Sequence, residues 1–216
     1  MQAITITKQA NKLTLKAAKE IAGSLGKPSK MPGLSYGISA KSCKTGSALA
    51  KIPGTVCHDC YALKANYAYP SVMQAHTKRA DSLNHPLWVK AMVTQIRASG
   101  TGWFRWHDAG DLQSFQHLLN IVQVAEQCPS ISFWLPTKEK KYISQFLDTF
   151  GEFPNNLTVR VSGAMVDGKA PDFKNTSTVV SDPSKATCRA FENNNKCGDC
   201  RKCWGKNVFN VAYLKH

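Results

Sequence analysis

The 216 residues carry 28 lysines and arginines against 14 acids, a formal net charge of +14, with 43% hydrophobic and 19% charged residues. That balance suits one globular domain with a core of its own and excludes a disordered or fibrous chain. No apolar run is long enough for a membrane span and no secretory signal opens the chain, so the expected setting is a reducing cytoplasm with no membrane partner.

In chain order, LTLKAAKEIAGSLG reads as an amphipathic helix ended by Gly26, within a helical extension over 1–30. GLSYGIS is a strand that runs into a cysteine loop. YPSVMQAHTKRADSL and HPLWVKAMVTQIRAS are helices, with Pro70 and Pro86 at their starts and Gly100 as the second stop. An alternation follows: strand GWFRWHDA, helix SFQHLLNIVQVAEQC with Leu118, Ile121, Val122 and Ala125 on one face, strand SISFWLPT, helix EKKYISQFLDTFG, strand NLTVRVSGAMV, and TSTVVS as a further strand. Such an order predicts parallel strands joined by right-handed crossovers, either an open doubly wound sheet or a full or partial (β/α) barrel. The expected fold is a single α/β domain: the extension 1–30, a partial (β/α) barrel over 31–182, and a cysteine-rich segment over 183–216. In either architecture the chemistry belongs on the loops at the strand C-termini. HDAGD, TKEK and SGAMVD all fall there.

The eight cysteines divide sharply. Cys128 ends a helical apolar stripe and reads as a small buried hydrophobe. Cys43, Cys57 and Cys60 form an upstream group spaced C-x13-C-x2-C; Cys188, Cys197, Cys200 and Cys203 form a downstream group spaced C-x8-C-x2-C-x2-C. Two successive C-x2-C steps suit three corners of an iron–sulfur cube, with the fourth thiolate from nearby chain. Zinc is the alternative, with Cys57 and Cys60 pairing with Cys200 and Cys203, but three cysteines are then spare. Disulfides or free thiols are a third reading, disfavoured in a reducing compartment. Four thiolates saturate a four-iron cluster. Three leave one iron open to a small-molecule cofactor, much as a catalytic zinc keeps an open position.

The basic excess flanks both groups. Residues 1–52 hold nine lysines and one acid, and residues 185–216 hold seven basic residues and two acids. This asymmetry suggests nucleic acid as a partner, with solubility and compensation for thiolates as the plainer explanation.

Three cysteines after a first strand, ahead of a (β/α) array, resemble the radical SAM superfamily. Its usual loop is C-x3-C-x2-C with an aromatic residue before the last cysteine; here the first gap is longer and Asp59 holds that position. The stretches CHDCYA, FRWHDAGD, FWLPTK, VRVSG and CGDCRKCW are similar to an uncharacterised bacteriophage family, the gene product 88-like proteins. The radical SAM resemblance implies a [4Fe-4S] cluster on Cys43, Cys57 and Cys60, with S-adenosylmethionine chelating the open iron, and the downstream group as an auxiliary cluster. It places Asp108 or Asp111 against the ammonium of the methionine moiety, with His107, Asp108 and Asp111 as the catalytic set. Gly110, Ser162 and Gly163 join Asp108 and Asp111 as cofactor-binding positions, the small pair at 162–163 letting a ribose approach the backbone. The phage resemblance implies the cytoplasm of an infected host.

Other residues carry competing readings. Asp111 or Ser114 could cap the following helix. Lys138 either reaches an anion on the rim or is a solvated lysine in a charge run. Arg160, within a strand, needs a partner, which the sequence suggests is Asp108 or a substrate acid. Trp103, Trp106 and Trp134 read as core aromatics, with Trp106 or Trp134 placed to shield a cluster from water. The expected function is an iron–sulfur protein of radical SAM-like type; the alternatives are a nucleic-acid-binding protein braced by its metal sites and an electron-transfer or redox-sensing module.

Overall fold

The computed structural model describes residues 13–215. Of the expected extension over 1–30, residues 1–12 lie outside the described residues, and the helix within it is α1 (Leu15–Ala22). It stops at Gly23, whose φ of +75° suits glycine, rather than at Gly26. The elements that follow are β1 (Leu34–Tyr36), α2 (Lys44–Leu49), α3 (Pro70–Ser82), α4 (Trp88–Ala98), β2 (Trp103–Trp106), α5 (Phe115–Gln127), β3 (Ser132–Thr137), α6 (Lys140–Phe150), β4 (Leu157–Val166), β5 (Thr176–Val180) and β6 (Asn210–Leu214).

The strands form one six-stranded parallel sheet in the order β1-β2-β3-β4-β5-β6. A doubly wound sheet reverses direction at a switch point. This one never does, which removes that alternative. Strand and helix begin where local chemistry places them. Pro70 opens α3 at its first turn, and the Ser114 hydroxyl caps α5 by accepting from His117 N at 3.0 Å, so Ser114 rather than Asp111 is the cap.

Alternation along the strands separates two cores. Phe104 and Trp106 of β2, Phe133 and Leu135 of β3, and Leu157, Val159 and Val161 of β4 face the helices and join α1, α4, α5 and α6 in the main cluster, where Cys128 is also buried. The intervening residues face the other way. Trp103 and Trp134 pack there with Cys203, Trp204 and Val211. The crossover from β5 to β6 therefore differs from those before it. It carries the downstream cysteines on loops broken by short 3-10 turns, one of which holds Cys203, across the face that the helices leave bare.

Arg160 anchors that crossover. It is 0% exposed, and its partner is neither Asp108 nor a substrate acid. Its guanidinium donates to five backbone carbonyls: Cys203 at 2.9 Å, Lys202, Gly205 and Val208 at 2.8 Å, and Thr176 at 3.2 Å. Four of these belong to one turn around the last cysteine. The planar fork suits them because it presents five N–H groups in fixed directions. Thr158 adds a bond to Trp204 O at 2.7 Å, and Trp204 Nε1 donates to Phe104 O at 2.9 Å. Among the described residues no helix is long and apolar enough to cross a membrane.

Candidate functional site

The upstream cysteines are held over the C-terminal ends of β1 to β4 by ties from three strands. Lys44 Nζ donates to Gln113 O at 2.8 Å, after β2, and Thr45 N donates to Glu139 Oε1 at 2.9 Å, after β3; these two residues directly follow Cys43. β4 runs past its register shift near Ser162 and pins the next loop through Val56 N to Ala164 O at 2.8 Å, one residue before Cys57. Tyr61, next to Cys60, donates to Asp108 O at 2.8 Å. The long C-x13-C gap is thus filled by α2 and a return turn. Gly46 makes room between two of the thiols: Cys43 Sγ and Cys57 Sγ each lie 3.6 Å from where a Gly46 Cβ would stand.

This group is poor in compensating charge. Burial pushes the Cys43 thiol up to about 12, with Asp111, Cys60, Cys57 and Glu139 adding to the effect. Burial also raises Cys57, against which Lys138 acts in the lowering direction. Thiols gathered beside two carboxylates resist ionisation unless a cation sits among them.

The predicted rim residues take distinct positions. Asp111 is spent on structure. Its carboxylate accepts from Leu112 N at 2.7 Å, Thr137 Oγ1 at 2.6 Å and Lys138 N at 2.8 Å, and so clamps the loop after β2 to the end of β3. Burial pushes it up to about 6 while those bonds pull downward. Asp108 is different. Its Oδ2 receives only Tyr67 Oη, at 3.3 Å, and its Oδ1 is buried with no partner. That oxygen sits against Gly37, where a Cβ would come within 2.5 Å of it. Gly110 has φ +79° and presses on Ile38, so its missing side chain serves the approach of β1. Lys138 Nζ donates to Gly163 O at 3.0 Å, and Ser162 Oγ lies 3.0 Å from Ser177 Oγ. Glu139, which the sequence offered only as part of a charge run, is 2% exposed and ties Cys43's helix to β3. No pattern in the sequence marks it beyond its place after a strand end.

His107 faces the core instead of the rim. Its φ of +52° swings the ring inward, where it meets His117 edge-on at 5.2 Å, and neither of its ring nitrogens has a hydrogen-bond partner. Burial first, then His117 and Arg105, lowers His107 well below its ordinary value, and burial lowers His117 to about 3. Both imidazoles are therefore neutral in the fold and would take up protons near pH 6.5 when unfolded. Depressed bases leave stability intact above the unfolded value and erode it as pH falls below. Two such groups cost up to about 3 kcal/mol per pH unit at the limiting slope, and roughly 3 kcal/mol in total between pH 6.5 and 5, where the unfolded imidazoles begin half protonated. Urea midpoints should fall steeply over that range, and His117→Phe should remove about half of the slope; a midpoint that is flat with pH would contradict the buried neutral pair.

The downstream cysteines line one cavity of about 290 Å³, together with Arg189, Asn193, Lys196 and Lys202. Cys203 is buried, Cys200 is exposed, and Cys203 Sγ lies 3.1 Å from Tyr213 Oη. The space is far larger than the roughly 30 Å³ share of one water, and so larger than a bare ion needs. Arg105 lies between the two cysteine groups. Its Nη2 donates to Tyr61 Oη at 3.2 Å, and its guanidinium stacks at 4.5 Å over Trp134, which meets Trp204 at 5.2 Å. All eight cysteines are free thiols. Among the described residues no three His, Cys, Asp or Glu side chains are arranged to hold a metal ion. The thiols are gathered into two groups without forming a closed ligand shell.

No curated protein and no solved structure matches the chain, so the comparisons lend nothing to the radical SAM resemblance. A family model does match, over residues 5–206: its description is Gene product 88, and the chain belongs to that family.

Proposed function

We propose that the chain is an iron–sulfur protein of radical SAM-like type, working in the cytoplasm of a phage-infected cell. The observation that carries this reading is the three-and-four division of the thiols: three over the strand C-termini, four around one cavity. Cys188, Cys197, Cys200 and Cys203 would hold a saturated, auxiliary cluster. Cys43, Cys57 and Cys60 would hold the second and leave a position for S-adenosylmethionine. When bound, such a cluster supplies an electron to the sulfonium of that cofactor.

The strand order supports a partial barrel, whose C-terminal rim is where barrel enzymes place their chemistry. The chain's own residues then have distinct tasks. The unpartnered Asp108 Oδ1 accepts from the ligand's ammonium, for which a buried lone oxygen is suited. Lys138, beside Cys57 and on Gly163 O, supplies positive charge at the rim. Asp111 and Glu139 hold the loops in register. Tyr61 and Tyr67 cover Asp108 and limit water there.

Anaerobic, reduced protein should show an EPR signal that changes on adding S-adenosylmethionine, and prolonged incubation with strong reductant should release 5′-deoxyadenosine. Asp108→Ala should weaken the spectral change at least tenfold in ligand concentration while leaving the iron content intact. An unchanged spectrum with no deoxyadenosine would reject cofactor binding at this site.

A further inference from the structure

The segment that carries the upstream cysteines has an unusual outer surface. Of the ten large hydrophobic side chains that are exposed among the described residues, five fall between positions 52 and 73: Ile52, Tyr61, Leu63, Tyr69 and Met73, from 43% to 58% exposed. A sixth, Met165, belongs to the end of β4, where Thr55 pairs with it, and so joins the same face. Apolar exposure concentrated in this way marks an interaction surface.

The patch is one continuous piece of structure. Tyr61 and Tyr67 rings lie 5.8 Å apart, and their hydroxyls both reach Asp108 O. Tyr69 N donates to Asn66 O, and Tyr69 O in turn accepts from Val72 N and Met73 N. Val56 N on Ala164 O holds the Ile52 turn beside β4. The charge on this piece is almost all of one sign. Residues 40–78 contain five lysines and a single acid, Asp59, and Lys41, Lys51, Lys64 and Lys78 are exposed. Asp59 neutralises only Lys64, at 3.4 Å.

From this charge and these aromatics we infer that the face formed by residues 41–73 is a docking surface for single-stranded nucleic acid. Phosphates meet the lysines, and unpaired bases stack on Tyr69 and Tyr61, the arrangement by which single strands are held without sequence readout. A protein partner would find apolar surface here but no acid-base pattern to match. Docking itself is independent of the metal reading. That a bound nucleotide is the substrate of the adjoining Asp108 rim rests on it, since Tyr61 belongs to both the platform and that rim.

The test is fluorescence anisotropy with a labelled 12-nucleotide single strand, DNA and RNA in turn, on the full chain, with iron assayed on the same sample. Wild type should bind, with affinity falling as salt rises. Tyr69→Ala and Lys51→Glu, both at exposed positions, should each weaken binding about fivefold to tenfold. Lys174→Glu, before β5 at the opposite end of the sheet, should weaken it less than twofold. No binding at 50 mM salt, or equal losses for Lys51→Glu and Lys174→Glu, would overturn the proposal; the first would turn the patch over to a protein partner. Binding by protein that carries no iron even when purified anaerobically would uphold the surface and remove the cluster reading, and iron-loaded protein that fails to bind would do the reverse.

Discussion

Arg160→Met should destabilise the protein by about 4 kcal/mol and loosen its C-terminal segment first. Methionine keeps much of the buried volume, so the loss isolates the hydrogen bonds. Five buried carbonyls would lose the guanidinium; Lys202 O, Gly205 O and Val208 O would each keep one donor, from Gly205 N, Val208 N and Asn175 Nδ2. An orphaned buried polar group costs about 1–3 kcal/mol, and partial relaxation reduces the sum. Because four of the five carbonyls lie between Lys202 and Val208, protease should cut the variant within 183–209 before the sheet unfolds. Urea unfolding under anaerobic conditions measures the total, and limited proteolysis locates it. A variant within 1 kcal/mol of wild type, with no new cleavage there, would show that the turn stands without its arginine.

Substituting single cysteines should divide the two groups. Cys203 is buried against Trp204, beside Tyr213, in the crossover that closes one face of the sheet. If the downstream group holds a saturated cluster, its binding energy is folding energy, on the order of 10 kcal/mol by the scale of structural metal sites. Cys203→Ala should therefore leave little soluble protein. Cys57 lies in a loop already tied to β4 through Val56 and Thr55. Cys57→Ala should remain soluble, lose about half of its iron by the division of the thiols, and no longer respond to S-adenosylmethionine. Equal insolubility of the two variants, or full solubility of both, would contradict the assignment of separate roles.

The legible parts of the fold were those written in local pattern. The apolar stripe of α5, the aromatic alternation of β2 and β3, and the proline at the start of α3 act within a few residues of themselves. β6 escaped notice because NVAYL follows a cysteine-rich stretch and reaches its place through a crossover with no α-helix in it. Arg160 announced that it needed a partner. Which partner it would take was hidden, since backbone carbonyls more than forty positions away carry no side-chain signature. His107 looked like a rim residue because it follows a strand, and a single left-handed backbone angle sends it to the core instead. The two cysteine groups were visible as spacing. The lone Asp108 oxygen, the Glu139 tie and the position of Arg105 between the groups depend on packing that no spacing describes.

The iron and sulfide content of wild-type protein, taken from the same anaerobic preparation as the cysteine variants, tests the account most directly. Two four-iron clusters on seven thiolates predict brown protein with about eight irons and as many sulfides per chain. Colourless protein that carries only stoichiometric zinc, or no metal at all, would contradict it.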